Sequence, residues 1–522
     1  MIFTSFKFLV FICATLLGYF LFPKKYRWLW LLAASYFFYL SASVKYSVFL
    51  IFSTVTTYFA ALAIERVGAV TALPEWTKEE KKLAKKKAAG RQKLILAAVL
   101  LINFGVLFSL KYYNFAASSF ANFVGVFGLE LSPAVLNIAV PVGISFYTFQ
   151  VTGYLIDVYR TTCSAQKNFL KYALFVSFFP QIMQGPIGRY NDLAPGLYEG
   201  HKFDYNRAAF GLQRMVFGFF EKLVIADRLA ILVDTVWANY AQFGRLQLLL
   251  ACFFYAIQIY ADFAGYMDIA LGCAQIMGIP MAENFDAPYF SRSVPEFWRR
   301  WHMTLGSWFK DYLFYPVLRS GWCTRLAKGL KKKFGKTVSG NTTTAIALFF
   351  VWMFTGLWHG ASWHYVAWGV YYGVLIILSM LLAPLFDWLV AKLHLNRSRP
   401  SYMLVQGLKT FAIVCIGYIL FRADSMSTAA GMIGAIFRFG TPVTTPLSMG
   451  LDSKDMIVAA VGILVLFIVD IFRYRKFDVR QWIGQQGLWL RWIIYLIAVF
   501  AVLIFGIYGP GYSASSFIYF QF

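Results

Sequence analysis

Five histidines occur in the 522 residues, and three of them fall in two aromatic-rich segments. His302 stands in PEFWRRWHMTLGSWFKDYLFYP (295–316); His359 and His364 stand in FTGLWHGASWHYVAWG (354–369). A neutral imidazole near pH 7 can take a proton from a hydroxyl, which is the step that acyl transfer to an alcohol requires. His359 lies between Trp358 and Gly360 at the end of an apolar run. Burying an imidazole there costs free energy unless it is hydrogen-bonded or used in chemistry. The alternative is a histidine satisfied inside a helix bundle.

Other chemistries lack their signatures. The sequence contains no GxSxG nucleophile elbow and no HExxH zinc helix. FGKT at 334–337 resembles the end of a phosphate-binding loop, but Leu330 occupies the place of the first glycine and the surroundings are Lys-rich. Cys13, Cys163, Cys252, Cys273, Cys323 and Cys415 are scattered with no CxxC pair, which argues against a disulfide framework and a zinc site. A transporter or flippase without covalent chemistry is the reading from another class. Asp157, Asp262 and Asp268 are ionisable residues in apolar runs, of the kind that mark ion pathways. Against it, no paired halves with matching broken helices are visible.

The elements that must hold the histidines are membrane helices. Hydrophobic residues make up 60% of the chain and charged ones 14%, far from the composition of a soluble domain. Apolar stretches recur from end to end at lengths near the roughly 20 residues that cross a bilayer core. Helices are expected near 2–22, 28–43, 46–64, 94–110, 134–157, 169–184 and 207–234. Further ones are expected near 246–272, 343–358, 363–386, 404–421, 456–472 and 490–508. The first reads as a retained helix, since it ends in Lys24-Lys25 and not in a small-residue cleavage site. The fold class is therefore all-α and polytopic. Gly and Pro interrupt AVPVGISF and FFPQIMQGPIGR, and such breaks are tolerated at membrane depth only where protein or a water-lined cavity satisfies the freed backbone.

The net charge of +24 admits nucleic-acid binding, but Lys and Arg collect between apolar segments as the positive-inside rule expects, and no nucleic-acid partner is inferred. The basic stretches 66–93 and 319–336 read as cytoplasmic loops, with KLHLNRSR (392–399) and FRYRK (472–476) on the same side. Counting helices from them places both termini outside, the 509–522 tail included. A single membrane-embedded domain, 1–522, is expected.

The segments SFYTFQVTGYLIDVYR (145–160), FPQIMQGPIGRY (179–190), the run 260–305 ending in FWRRWHMTL, and GLWHGASWHYVAWG (356–369) carry a resemblance. The chain resembles the membrane-bound O-acyltransferase family, in the alginate O-acetyltransferase-like branch of bacterial polysaccharide-modifying members. The resemblance implies a ring of roughly 11–13 spanning or re-entrant helices around a thin core, with a funnel on each face. It implies a catalytic His359 and a second functional histidine at His302. His364 has no role to carry over and reads as structural; His201 and His394 read as loop residues. Trp298, Trp301 and Trp358 are expected to line the donor side. Arg299, Arg300 and Lys310 are expected to anchor an interfacial helix by snorkelling.

The implied reaction moves an acyl group, acetyl by resemblance, from a cytoplasmic acetyl-CoA to an extracytoplasmic polysaccharide such as alginate. Acetyl-CoA is a substrate here, and no bound cofactor is expected. His359 would be the general base, and His302 would orient the donor or stabilise charge as the thioester opens. The basic stretch 319–336 would attract the donor's phosphates or serve only as a topology signal. The partners implied are an extracytoplasmic acetyltransferase-like protein, the polysaccharide and membrane lipid, in a bacterial cytoplasmic membrane. A long-chain lipid or protein acyltransferase is the remaining alternative. At the C-terminus, Phe517-x-Tyr519-x-x-Phe522 is similar to the C-terminal tyrosine motif of the small partner in D-alanylation systems. That similarity suggests Tyr519 as a covalent acyl relay; the alternative is an aromatic belt anchor.

Overall fold

The computed structural model describes residues 1–69, 77–438 and 449–508. Tyr519 and the tail around it lie outside the described residues. Helices account for every regular element there, with no strand. Eight of them are long and apolar enough to cross a membrane, and shorter apolar helices lie at Phe6–Leu21 and Met426–Phe437. The outermost carry large side chains facing away from the protein: Trp489, Ile497 and Ile504 on Leu488–Phe505 are mostly exposed, as lipid-facing positions must be. The chain is a multi-pass, all-α membrane protein.

Two compact units divide it, one of residues 1–212 with 270–282, the other of 213–269 with 283–522. In the first, Ser47–Ala69 packs against Lys78–Leu107 and Ile144–Tyr159, and Arg27–Ala42 against Phe169–Ser177. Side chains satisfy polar groups across these helices. Thr57 and Tyr172 hydroxyls meet at 2.7 Å, and Gln150 Nε2 donates to the Phe175 carbonyl at 2.8 Å. The helix expected over 169–184 breaks at Phe178, after which Phe179–Ile182 makes a separate turn. The Phe179 N–H freed by the break donates to Ser35 Oγ at 3.2 Å, the internal compensation that broken helices need in lipid.

Three sequence expectations are corrected. The helix expected from 134 begins only at Ile144, because Pro141 interrupts the run and Gly143 takes a left-handed conformation, φ +74°. The basic stretches 66–93 and 319–336 are not loops where described. Residues up to Ala69 complete the preceding helix, and Lys78–Leu107 starts at a capping box between Thr77 and Glu80. Gly321–His359 starts with Ser320 as N-cap and kinks at Gly335, φ +84°. Lys, Ala and Leu are strong helix formers, so charge patterning alone mislabels these segments as irregular.

In the second unit, which begins at Gln213, the helix that ends at Phe219 runs on through wider turns, Phe220–Ala226, into Asp227–Ala238. The widened turns carry Lys222, 2% exposed, whose Nζ lies 2.8 Å from Asp227 and 2.5 Å from Asp262. Asp268, 4% exposed, accepts from Arg214 and Arg473, both at 2.8 Å. Two of the three aspartates that a transporter reading would employ, Asp262 and Asp268, are thus held in buried ion pairs. Removing one partner of a buried pair leaves an uncompensated charge and costs about 3–5 kcal/mol. Lys222→Ala should therefore lower the yield and the thermal unfolding temperature of detergent-purified protein sharply. An unfolding temperature unchanged from the wild type would show that the pairs carry no structural weight.

Candidate active site

His359 is the last residue of Gly321–His359, and Gly360 ends the helix in extended backbone. The following helix, Trp363–Leu381, doubles back against it. Glycine permits the contact. A Cβ on Gly356 would lie 2.3 Å from the Tyr365 carbonyl oxygen and 3.2 Å from Gly369 Cα, and one on Gly360 would sit 2.2 Å from the Tyr365 ring. The GLWHG motif thus places an imidazole where two helix backbones touch, the small-residue packing that membrane helices use.

The ring of His359 is 4% exposed and meets three aromatic rings edge-to-face: Trp358 at 5.0 Å, Trp368 at 4.9 Å and Phe421 at 5.1 Å between centroids. Trp298 packs behind Trp368 at 5.4 Å and also against Trp352 and Tyr372. The indole N–H groups of Trp298 and Trp368 are buried without a hydrogen-bond partner among the described residues. Buried donors of this kind are few in a folded protein, and a ligand that completes the site is one way to satisfy them.

His302 is 2% exposed and N-caps Met303–Phe309 with a left-handed backbone, φ +46° and ψ +52°. A non-glycine residue there is strained, and the surrounding loop holds it in place. Asp286 N–H donates to the Arg300 carbonyl and Met303 N–H to the Asn284 carbonyl, both at 3.0 Å, so 284–286 and 300–303 are fastened on either side of the histidine. Arg300 also donates to the Asp286 carbonyl at 3.0 Å and to Glu296 at 3.1 Å. It therefore braces the loop and does not snorkel to an interface as its sequence context suggests.

Asn284 decides the state of the imidazole. Its Oδ1 accepts from the Thr304 N–H at 3.0 Å and from His302 Nδ1 at 3.3 Å. A backbone N–H can only donate, so the atom facing Thr304 is the oxygen, and His302 must present Nδ1–H to it. Burial lowers the pKa of His302, to about 3, which keeps the ring neutral at pH 7 with its lone pair on Nε2.

Trp358 joins the two histidines: its ring lies 5.9 Å from that of His302 and 5.0 Å from that of His359. On the far side His302 meets Phe263 at 4.8 Å. Trp301 belongs to a neighbouring aromatic layer, 5.0 Å from Phe285 and 6.0 Å from Tyr260. His364 hydrogen-bonds the Leu420 carbonyl through Nδ1 at 3.1 Å, a structural role. His201 lies in the first unit, its Nε2 3.0 Å from the Gly196 carbonyl. Sequence reasoning assigned no role to Asn284, Trp368 or Phe421, although the first two stand inside the recognised segments.

Residues 161–421, which contain both histidines and Asn284, match the sequence profile of MBOAT, the membrane-bound O-acyltransferase family. The chain belongs to this family. It is an O-acyltransferase. It is 33% identical over 497 residues to the protein named probable alginate O-acetylase AlgI of Pseudomonas aeruginosa, covering 93% of this chain and 83% of that one. The peptidoglycan O-acetyltransferase of Helicobacter pylori is 30% identical over 448 residues, 79% of this chain and 74% of that one. The teichoic acid D-alanyltransferase of Bacillus subtilis is 30% identical over 281 residues, 53% and 68% of the two chains.

The glycine crossing can be tested without an activity assay. Gly356→Val forces a side chain against backbone that cannot step aside, and overpacking of this kind costs about 1–3 kcal/mol or more. Gly329, in the same helix, has open space where a methyl group would stand, with nothing within 4 Å. Gly329→Ala should keep or raise the thermal unfolding temperature, by up to about 1 kcal/mol of helix propensity, while Gly356→Val lowers it. Equal behaviour of the two variants would remove the crossing as the determinant of the site.

Proposed function

We propose that this O-acyltransferase takes an acetyl group from acetyl-CoA at the cytoplasmic face and delivers it for O-acetylation of a polysaccharide outside the membrane, directly or through an extracytoplasmic partner. The observation that carries the reading is the convergence of His302 and His359 on Trp358 within one buried aromatic cluster. The names of the alginate and peptidoglycan relatives support acetyl as the group and a polymer hydroxyl as its destination.

In this reading His359 is the general base. It takes the proton of the accepting hydroxyl as the oxygen bonds to the thioester carbonyl carbon. The carbon–sulfur bond then breaks, and the departing thiolate takes the proton back. The role of His302 follows from Asn284. With Nδ1–H committed to the carboxamide, Nε2 of the neutral ring accepts hydrogen bonds and does not donate them. It suits accepting from an N–H of the acyl donor's pantetheine arm and so orienting the thioester, not stabilising an oxyanion. The buried indole N–H groups of Trp298 and Trp368 are better placed chemically for a developing negative oxygen.

Purified protein given acetyl-CoA and a soluble acceptor oligosaccharide should release free CoA with matching ester formation, and palmitoyl-CoA should not substitute. His359→Ala and His359→Gln should each cut turnover by about 10²-fold or more while the protein still folds and inserts. Near-normal turnover in either variant removes His359 as the base, and equal use of palmitoyl-CoA removes the acetyl assignment.

Asn284 is a positioning residue, testable through pH. Asn284→Asp sets a carboxylate against Nδ1–H, favours the imidazolium and raises the pKa of His302. The neutral ring is the working form, so turnover of the variant falls as pH drops below that raised value, by roughly tenfold per pH unit. The wild type has no such limb from His302. A pH–rate profile parallel to the wild type would show that Asn284 does not act through His302.

A further inference from the structure

The first unit contains a cavity that the acyl-transfer reading does not use. Its volume is about 600 Å³, and its walls carry Lys24, Lys25, Trp28, Lys171, Tyr198 and Glu199. Three ammonium groups and one carboxylate leave a charge of +2 (three minus one) facing one space. None of the three lysines has an acidic partner within salt-bridge distance among the described residues. Lys171 instead lies over two aromatic faces, Trp28 at 5.6 Å and Tyr198 at 5.1 Å from nitrogen to ring centroid. Tyr198 is fixed by donating its hydroxyl hydrogen to the Lys171 carbonyl at 2.8 Å. The aromatic pair holds the ammonium in place without neutralising it.

The neighbouring cation is engaged elsewhere. Arg27 donates to the carbonyls of Phe20 and Phe22, both at 3.1 Å, and to that of His201. That arginine ties the chain between Phe6–Leu21 and Arg27–Ala42 into a closed turn, which leaves the lysines as the groups presented to the cavity.

The location selects the ligand. Lys24 and Lys25 follow directly on an apolar helix whose last turns point outward: Leu17 is 65% exposed, Leu21 81%, and Phe203 beside Phe20 is 59% exposed. In a membrane protein such side chains face acyl chains, so the cavity opens where hydrocarbon gives way to headgroups. Tryptophan, tyrosine and lysine together at this depth form the interfacial belt that meets lipid phosphate.

We propose that this cavity is a binding site for one anionic phospholipid, its phosphodiester held by Lys24, Lys25 and Lys171 and its chains lying along Leu17 and Leu21. Glu199 provides an acceptor for a headgroup hydroxyl, which favours phosphatidylglycerol over a headgroup without hydroxyls. The phosphates of a thioester donor and free phosphate share the same recognition chemistry, and the outward apolar surface at the rim decides for the lipid. The site serves retention of the protein in an anionic leaflet and does not depend on the assignment of His359.

The test uses the full chain in nanodiscs of phosphatidylcholine doped with phosphatidylglycerol, with lipid retained after detergent extraction counted by mass spectrometry. The wild type should retain phosphatidylglycerol in excess of its bulk fraction. Lys24→Gln/Lys25→Gln/Lys171→Gln should lose that excess, with affinity down by roughly 10²-fold, or about fivefold for each lysine near a charged surface. Lys25→Glu, at an exposed position, guards against a folding failure of the triple variant and should by itself weaken retention by about tenfold or more. Lys171→Arg keeps the charge and should keep the excess. The proposal is overturned if the wild type shows no preference or if Lys25→Glu retains lipid as the wild type does. Displacement of the lipid by millimolar inorganic phosphate overturns it in favour of a free anion. A KM for acetyl-CoA raised tenfold in Lys25→Glu, with lipid retention intact, overturns it in favour of the donor.

Discussion

The contact of Gly356 with Gly369 governs where everything else in the site lies. Two membrane helices can approach this closely only when neither presents a side chain at the crossing, since a single Cβ on Gly356 meets the Tyr365 carbonyl at 2.3 Å. The crossing fixes His359 one turn later, against Trp368 and Phe421 from two further turns of helix. Lipid offers no hydrophobic drive for helices to associate, so backbone approach, dispersion and internal hydrogen bonds must hold them. The catalytic candidate is thus carried beside a backbone contact that admits no side chain.

His302 is held by different means. It sits in an irregular segment between two short helices, and its position rests on hydrogen bonds between 284–286 and 300–303 together with a strained backbone at its own Cα. Behind that loop the ion pairs of Arg214, Asp268 and Arg473 bind helices distant in sequence, and Tyr260 donates to Asp470 at 2.9 Å next to the Trp301 layer. Buried charge of this kind contributes little net stability but penalises every arrangement in which a partner is absent. It therefore specifies one packing of the second unit.

Sequence reasoning reached the apolar helices, the break in FFPQIMQGPIGR and the two histidine motifs, because each is written in consecutive residues as length, Gly/Pro punctuation or residue type. It failed where the deciding partner lies elsewhere in the chain. Asn284 is 18 positions from His302, and nothing local marks it as the group that fixes a tautomer. Arg300 looked like an interfacial anchor because its partner Asp286 is not visible from its own helix. The basic stretches looked like loops because charge was weighed above the helix propensity of lysine and alanine. At 134–143 the apolar character was legible and the conformation was not, since Pro141 and Gly143 override hydrophobicity.

Trp358 lies against both histidines, and this gives the site a property that neither histidine has alone. A substitution that re-seats the indole for the benefit of one imidazole also displaces the other, so the two rings form one mechanical element with a shared wall. Changes to that wall are not independent, and their energetic effects do not sum. Evolution toward a different acyl group then has to repack the neighbours of both rings in concert. The adaptable surface lies behind these rings, in Trp352 and Tyr372, which pack on Trp368 and touch neither imidazole directly.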